Sequence, residues 1–242
     1  IIIMGTSYNP RIVTDGLVLC LDAANKRSYP GAGTTWTDLT NNNHNGTLEN
    51  NAAFTSANGG GIAFDGTDDR VTIDDFEDLN ATDASFSCGL KLDALGSDRE
   101  ILVKGGHGGS SPLVLFYDES VGGGQGAGNS NAISFLSADG GTQIFFSSPS
   151  SSVSAGEIFV VDVTIDASAG KVSLYKNGQL LASQTDSDYD GMPNTSDDYH
   201  LGADSGFNKD LDGNIYFFRA YNKCLSASEV QQNYLATKGR FQ

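Results

Sequence analysis

The segment KVSLYKNGQLLASQ sets Asn177-Gly178 between two runs of alternating apolar residues, Val172 and Leu174 before it and Leu180 after it. Asn and Gly both tolerate positive φ, so the pair predicts a type I′ hairpin. The same pattern recurs along the chain. GLVLCLDA, from Gly16, is almost continuously apolar, as in a strand buried on both faces. SFSCGLKLDAL alternates at Phe86, Cys88, Leu90 and Leu92, and REILVKG, SPLVLFYD, NAISFLSA, TQIFFSS, GEIFVVDVTIDA and DGNIYFFRAYN continue the series. In GGIAFDGTDDRVTI, Asp65-Gly66 reads as a second hairpin turn. Runs this short, with no crossover helices between them, exclude a parallel α/β sheet and predict two packed antiparallel sheets.

A single helix is predicted near the end. Ser226 and Glu229 have capping-box spacing, Val230, Asn233 and Tyr234 follow at helical spacing, and Gly239 can end it. The 242 residues suit one large all-β domain, and the 30 glycines suit many turns. Residues 1–14, with Pro10 and no apolar period, read as an extended arm; residues 15–242 read as the sandwich domain. The chain opens on Ile1, not on Met, as expected of a fragment or a processed chain. Ile1-Ile2-Ile3 is too short for a signal peptide or a membrane span, so no membrane partner is expected.

A net charge of −16 repels phosphate backbones and argues against nucleic acid as a partner. It suits divalent cations or a basic partner. The three cysteines, Cys20, Cys88 and Cys224, form no CxxC pair and read as small buried hydrophobes, compatible with folding in a reducing cytosol. Three Asn-x-Ser/Thr triplets, at Asn45, Asn80 and Asn194, read as chance in an Asn/Thr-rich chain.

The ordered pieces resemble a known family. GLVLCLDAAN, WTDLTNNNHNGTL and IAFDGTDDRVTI are similar to the opening of laminin-G-like domains, VSLYKNGQLLAS to their later hairpin, and DGNIYFFRAYNKCLSASEVQQNYLATKGRF to their closing strand and helix. The likeness spans roughly residues 16–241 and rests on order and spacing together. It implies a concanavalin A-like jelly-roll sandwich with one short C-terminal helix. The opening DGLVLCLDAAN and the ending NYLATKGRF look most like domains in structural proteins of tailed bacteriophages. That implies a non-enzymatic virion component, such as a capsid decoration, spike or fibre, assembled in the host cytoplasm with other virion proteins or copies of itself. The alternative is a lectin-like module, outside a cell or on its surface, that recognises cell-surface polysaccharide.

The sharpest local motif is Asp186-Ser187-Asp188-Tyr189-Asp190-Gly191-Met192-Pro193-Asn194-Thr195-Ser196-Asp197. Carboxylates at positions 1, 3 and 5, Gly at 6 and an acid at 12 follow a calcium-loop pattern. The expected ligands are Asp186, Asp188, Asp190, the Met192 carbonyl, Asn194 and Asp197, holding a structural calcium. The loop departs from the pattern in lacking flanking helices and in carrying Asp, not Glu, at position 12. Asp65, Asp68 and Asp69 form a second acidic cluster, and the likeness implies that a rim calcium could sit there.

Enzyme chemistry is poorly supported. DDFEDL (74–79) does not match the Glu-x-Asp-x-Glu of sandwich glycosidases. His44, His107 and His200 lie in unrelated contexts, which argues against zinc, and there is no G-x-S-x-G. The Gly-rich stretch 119–131 lacks the GK[ST] of a phosphate loop and reads as a tip loop. If sugar is bound, Trp36, Tyr117, Tyr189 and Tyr199 are the candidate stacking aromatics by residue type.

Overall fold

A computed structural model describes residues 10–76, 79, 83–105, 113–119, 129–139, 142–203 and 209–241. In chain order the strands are β1 (Leu17–Asp22), β2 (Thr35–Trp36), β3 (Gly46–Glu49), β4 (Ala53–Thr55), β5 (Gly61–Asp65), β6 (Arg70–Ile73), β7 (Ala84–Leu92) and β8 (Arg99–Lys104). They continue as β9 (Leu113–Asp118), β10 (Ala132–Asp139), β11 (Thr142–Ser147), β12 (Ile158–Asp166), β13 (Lys171–Lys176), β14 (Gln179–Thr185), β15 (Tyr199–Leu201) and β16 (Asp212–Tyr221). The helix α1 covers Ala227–Thr237.

The strands form two eight-stranded sheets. Sheet I runs β14-β13-β12-β7-β16-β5-β4, with β1 also beside β16; sheet II runs β11-β10-β9-β8-β15-β6-β3-β2. All pairings are antiparallel. The facing sides of the sheets share one core, from Leu19, Trp36 and Ile62 through Leu90, Tyr117 and Phe135 to Leu174 and Phe218. The all-β sandwich with a single C-terminal helix expected from the alternation is the observed fold.

The local chemistry explains the joints. Asn177 and Gly178 both have positive φ, 53° and 76°, so the β13–β14 hairpin is the I′ type expected. Asp65-Gly66 does not close a hairpin. Strand β5 pairs in sheet I and β6 in sheet II, so this turn carries the chain from one sheet to the other. Ser226 accepts from the Glu229 N–H and the Glu229 side chain accepts from the Ser226 N–H, completing the capping box. Gly239 does not end the helix: a short 3₁₀ turn, Lys238–Phe241, follows it directly.

The outer face of sheet I is closed by the C-terminal segment. Leu225 and Val230 pack with Val13, Tyr175 and Tyr221, while Tyr234 and Phe241 lie against Val160, Tyr216 and Phe217. Asn233, 1 % exposed, accepts from the Val13 N–H (2.8 Å) and donates to the Tyr221 hydroxyl (3.1 Å). Those bonds fix residue 13, inside the expected arm, to the domain. Residues 1–9 lie outside the described residues.

Candidate functional site on the outer face of sheet II

Register places one side chain from every strand of sheet II in a single outer line: Thr35, Thr47, Thr72, His200, Val103, Val114, Leu136 and Phe145. The line changes character at its middle. Thr35 and Thr47 are exposed and Thr72 and His200 half-buried, whereas Val103, Val114 and Leu136 are buried and pack with Phe116 and Phe145. Strands β2, β3, β6 and β15 thus present hydroxyls and an imidazole to solvent, and β8 to β11 an apolar bed. The Thr72 hydroxyl lies 3.2 Å from His200 Nδ1. Beside this line Arg70 Nε donates to Glu49 Oε2 at 2.5 Å, with both side chains part-exposed. Hydroxyl, imidazole, guanidinium and carboxylate groups in one strip supply the donors and acceptors that a polyhydroxylated ligand needs.

Two further carboxylates share this face. Glu100 pairs with Phe116, and Asp118 lies two residues on along the same strand, so the two stand diagonally on neighbouring strands. Both are buried, at 1 % and 2 % exposed. Ser134 donates to Asp118 at 3.3 Å, and the Lys209 ammonium sits 5.3 Å from the Phe116 ring centre while paired with Asp98 at 3.2 Å. Neither carboxylate stands out in the sequence, because each falls in an otherwise apolar strand run.

The candidate aromatics lie elsewhere. Trp36, Tyr117, Tyr189 and Tyr199 are at most 1 % exposed and belong to the core, so none offers a ring face to a sugar. They are large apolar fillers with polar tips: Tyr117 donates to Asn131 Oδ1 and Tyr189 to Ser137 Oγ. Tyr199 joins a ring ladder, with His44 on Phe76 at 4.4 Å and Phe76 on Tyr199 at 4.8 Å.

The expected calcium loop turns two of its side chains into the core. Tyr189 and Met192 are buried in the core and Pro193 is buried too, while Asp188, Asp190, Asn194 and Asp197 are exposed and Asp186 half-buried. Asp186 accepts from the Asp188 N–H at 2.9 Å, a local turn bond. Among the described residues no three His, Cys, Asp or Glu side chains are grouped to hold a metal, either here or at Asp65, Asp68 and Asp69. The loop is pinned by protein contacts: the Asp186 N–H donates to the Gly170 carbonyl, and the Asp197 carbonyl accepts from buried Lys104. Asp69, 3 % exposed, accepts from the Asp65 N–H, and burial raises its pKa above the ordinary carboxylate value.

Cys20 and Cys88 are buried, Cys224 is half-buried, and all three are free thiols. His107 and most of the Gly-rich stretch lie outside the described residues. No helix among the described residues is long and apolar enough to cross a membrane.

Comparison with solved structures finds the same architecture in toxin binding domains. The binding domain of Paraclostridial Mosquitocidal Protein 1 superposes with a TM-score of 0.70 at 14 % identity, over 90 % of this chain and 52 % of that one. The botulinum neurotoxin serotype D binding domain gives 0.67 at 18 % identity, over 91 % and 51 %. A serotype D ligand-binding domain solved with N-acetylneuraminic acid gives 0.64 at 16 %, over 91 % and 50 %. The chain spans about half the length of the solved structures it matches, and identities this low speak for the fold. No curated protein matches by sequence. Residues 65–231, more than half of the chain, match a laminin-G family of the concanavalin A-like lectin/glucanases superfamily. The chain therefore belongs to the concanavalin A-like lectin/glucanases superfamily.

Proposed function

We propose that this domain is a non-catalytic binding module that lays the solvent-open part of sheet II against neutral cell-surface polysaccharide. The observation that carries the reading is the line Thr35, Thr47, Thr72 and His200, contributed by four adjacent strands, exposed at the first two and half-buried at the last two, while α1 closes the outer face of sheet I. Sugar hydroxyls are matched by paired donors and acceptors on a rigid surface. The net charge of −16 and the pairing of Arg70 with Glu49 favour neutral over anionic glycans. Burial of Glu100 and Asp118 withholds them from a polymer chain, which supports binding without hydrolysis.

The virion setting is part of the same proposal. It rests on the likeness of the chain's opening and ending to tailed-phage structural proteins. Many displayed copies would raise a weak sugar affinity by avidity. Peptides of this chain in purified particles support that setting, and their absence from particles whose genome encodes it removes it. Calcium at the 186–197 loop is likewise a proposal, resting on the carboxylate spacing.

The test is binding to an array of bacterial polysaccharides by the wild type, Thr72→Val and Arg70→Ala. The reading expects both variants to lose at least about tenfold in affinity, of the order of 1.4 kcal/mol, with unchanged melting. Wild-type binding that both variants retain in full contradicts it.

A further inference from the structure

The outer face of sheet I holds a small polar cavity, remote from the strip on sheet II. Along β12 and β13, Val163, Ile165, Val172 and Leu174 face the core. The alternate residues Thr164, Asp166, Lys171, Ser173 and Tyr175 therefore stand on the outer face. With residues 224–227, which lead into α1, they line a cavity of about 190 Å³. Thr164, Ser173 and Tyr175 bring hydroxyls to it although they are only 3 %, 5 % and 8 % exposed. The contacts of these hydroxyls are with one another and with Cys224. None of the three bonds a main-chain group among the described residues, so each can turn to donate to a ligand or to accept from one.

Both signs of charge reach the same space. Asp166 and Lys171 are register partners across β12 and β13, yet no ion pair joins them. Asp166 Oδ1 accepts from the Ala169 N–H at 2.9 Å and from Ser168 Oγ at 2.8 Å, which leaves Oδ2 to the cavity side. Burial chiefly raises the pKa of the Cys224 thiol; Asp166 and Asp83 raise it further and Lys171 lowers it, so charges of both signs act at this point. The start of α1 forms the remaining wall. Among its first N–H groups, that of Glu229 is taken by Ser226 Oγ at 3.3 Å, and those of Ala227 and Ser228 have no partner within the helix.

We propose that this cavity binds a small zwitterion, an α-amino acid with a short side chain, with its carboxylate at Lys171 and the Ala227 and Ser228 N–H groups and its ammonium at Asp166. The class follows from the charges. A simple anion would meet Asp166, Asp83 and a net charge of −16, and a simple cation would meet Lys171 and the positive end of α1. A zwitterion answers each charge with its opposite and adds no net charge. The three buried hydroxyls then supply the directional bonds that hold its orientation. So few non-hydrogen atoms fit that the affinity belongs in the millimolar range. The inference is independent of polysaccharide binding on sheet II.

A ¹H–¹⁵N titration of the labelled domain with glycine, L-alanine and L-serine tests it, beside acetate, methylammonium and glycerol at matched ionic strength. The amino acids are expected to give saturable shifts at Ser173, Tyr175, Ala227 and Ser228, and the three comparison solutes to bind at least about tenfold more weakly. Lys171→Met and Asp166→Asn, each checked by circular dichroism for an intact sandwich, are both expected to lose at least about tenfold in affinity. Asn at 166 keeps an oxygen for the Ala169 N–H, so the local turn survives the second change. Thiol labelling gives a separate reading: a saturating amino acid slows the reaction of Cys224. The proposal is overturned if no amino acid gives saturable shifts at those four residues, or if acetate, methylammonium or glycerol binds as tightly. It is equally overturned if either variant binds like the wild type or if saturation leaves Cys224 labelling unchanged.

Discussion

The hydroxyl of Tyr189 donates to Ser137 Oγ across 3.0 Å inside the sandwich, so the acidic loop between β14 and β15 is held from its apolar side. Tyr189 and Met192 point inward while the neighbouring carboxylates point out. Replacing Tyr189 by Ala empties a large core site and is expected to cost about 3–5 kcal/mol, and Met192→Ala about 2–5 kcal/mol. Tyr189→Phe keeps the ring and loses one hydrogen bond, for about 1 kcal/mol. Urea denaturation measures all three. A chelator-dependent melting midpoint in the wild type would support calcium at this loop; an unchanged midpoint removes that proposal.

Lys104 is fully buried, with its ammonium on Asp75, on the Asp197 carbonyl at 2.9 Å and 4.4 Å from the Tyr199 ring centre. Asp75→Asn removes the opposing charge from a buried cation and is expected to destabilise by about 3–5 kcal/mol. Adding Lys104→Met to that variant should recover most of the loss, because the stranded charge is then gone. Denaturant midpoints of the two variants check both statements; a double variant no more stable than Asp75→Asn contradicts the account of this pair.

Asp162 gives the stability a pH dependence. It faces Ser87, Arg219 and Cys20 in register across β12, β7, β16 and β1, roofed by the C-terminal segment. Burial pushes its pKa up to about 7, against which the Ser87 hydroxyl and Arg219 guanidinium act only in part. The folded value is raised above the unfolded one, so the folded state binds the extra proton. The contribution of Asp162 to stability is greatest below the unfolded value near 4, falls as pH rises from about 4 to about 7, and is flat beyond, a loss of up to about 4 kcal/mol. Glu229, whose pKa Lys223 and the Ser226 N–H lower, acts oppositely: its contribution disappears as pH falls through the acid range. The difference between wild type and Asp162→Asn isolates the first effect. Asp162→Asn should flatten the slope between pH 4 and 7 and be the more stable protein at pH 8.

Thiol labelling separates the cysteines. Cys20 and Cys88 are buried and Cys224 half-buried, and burial raises all three thiols. Native protein should react slowly at Cys224 and not measurably at the other two, and all three should react in denaturant. Fast native labelling of Cys88 contradicts its place in the core.

Local pattern revealed most of the fold and little of the site. Alternation at Phe86–Leu92 and the Asn177-Gly178 turn are short-range signals, and both strands and hairpin lie where those residues put them. Asp65-Gly66 misled because a turn residue reports the bend and not the sheet that the next strand joins. Tyr189 misled as a stacking aromatic because residue type and an acidic setting do not tell which side chains of a loop turn into the core. Trp36, Tyr117 and Tyr199 fill the core for the reason large aromatics usually do, the area they bury. The line Thr35, Thr47, Thr72 and His200 was not legible at all. Its members lie far apart in the chain, and only the β2-β3-β6-β15 register makes them neighbours.

The most direct test of the binding surface is a ¹H–¹⁵N titration of the labelled domain with the neutral polysaccharide fragment that binds best on the array. The account expects saturable shifts at Thr47, Arg70, Thr72 and His200, with the 186–197 loop and α1 unmoved. Saturable binding whose shifts fall on the loops at either end of the sandwich, with those four residues silent, would contradict it.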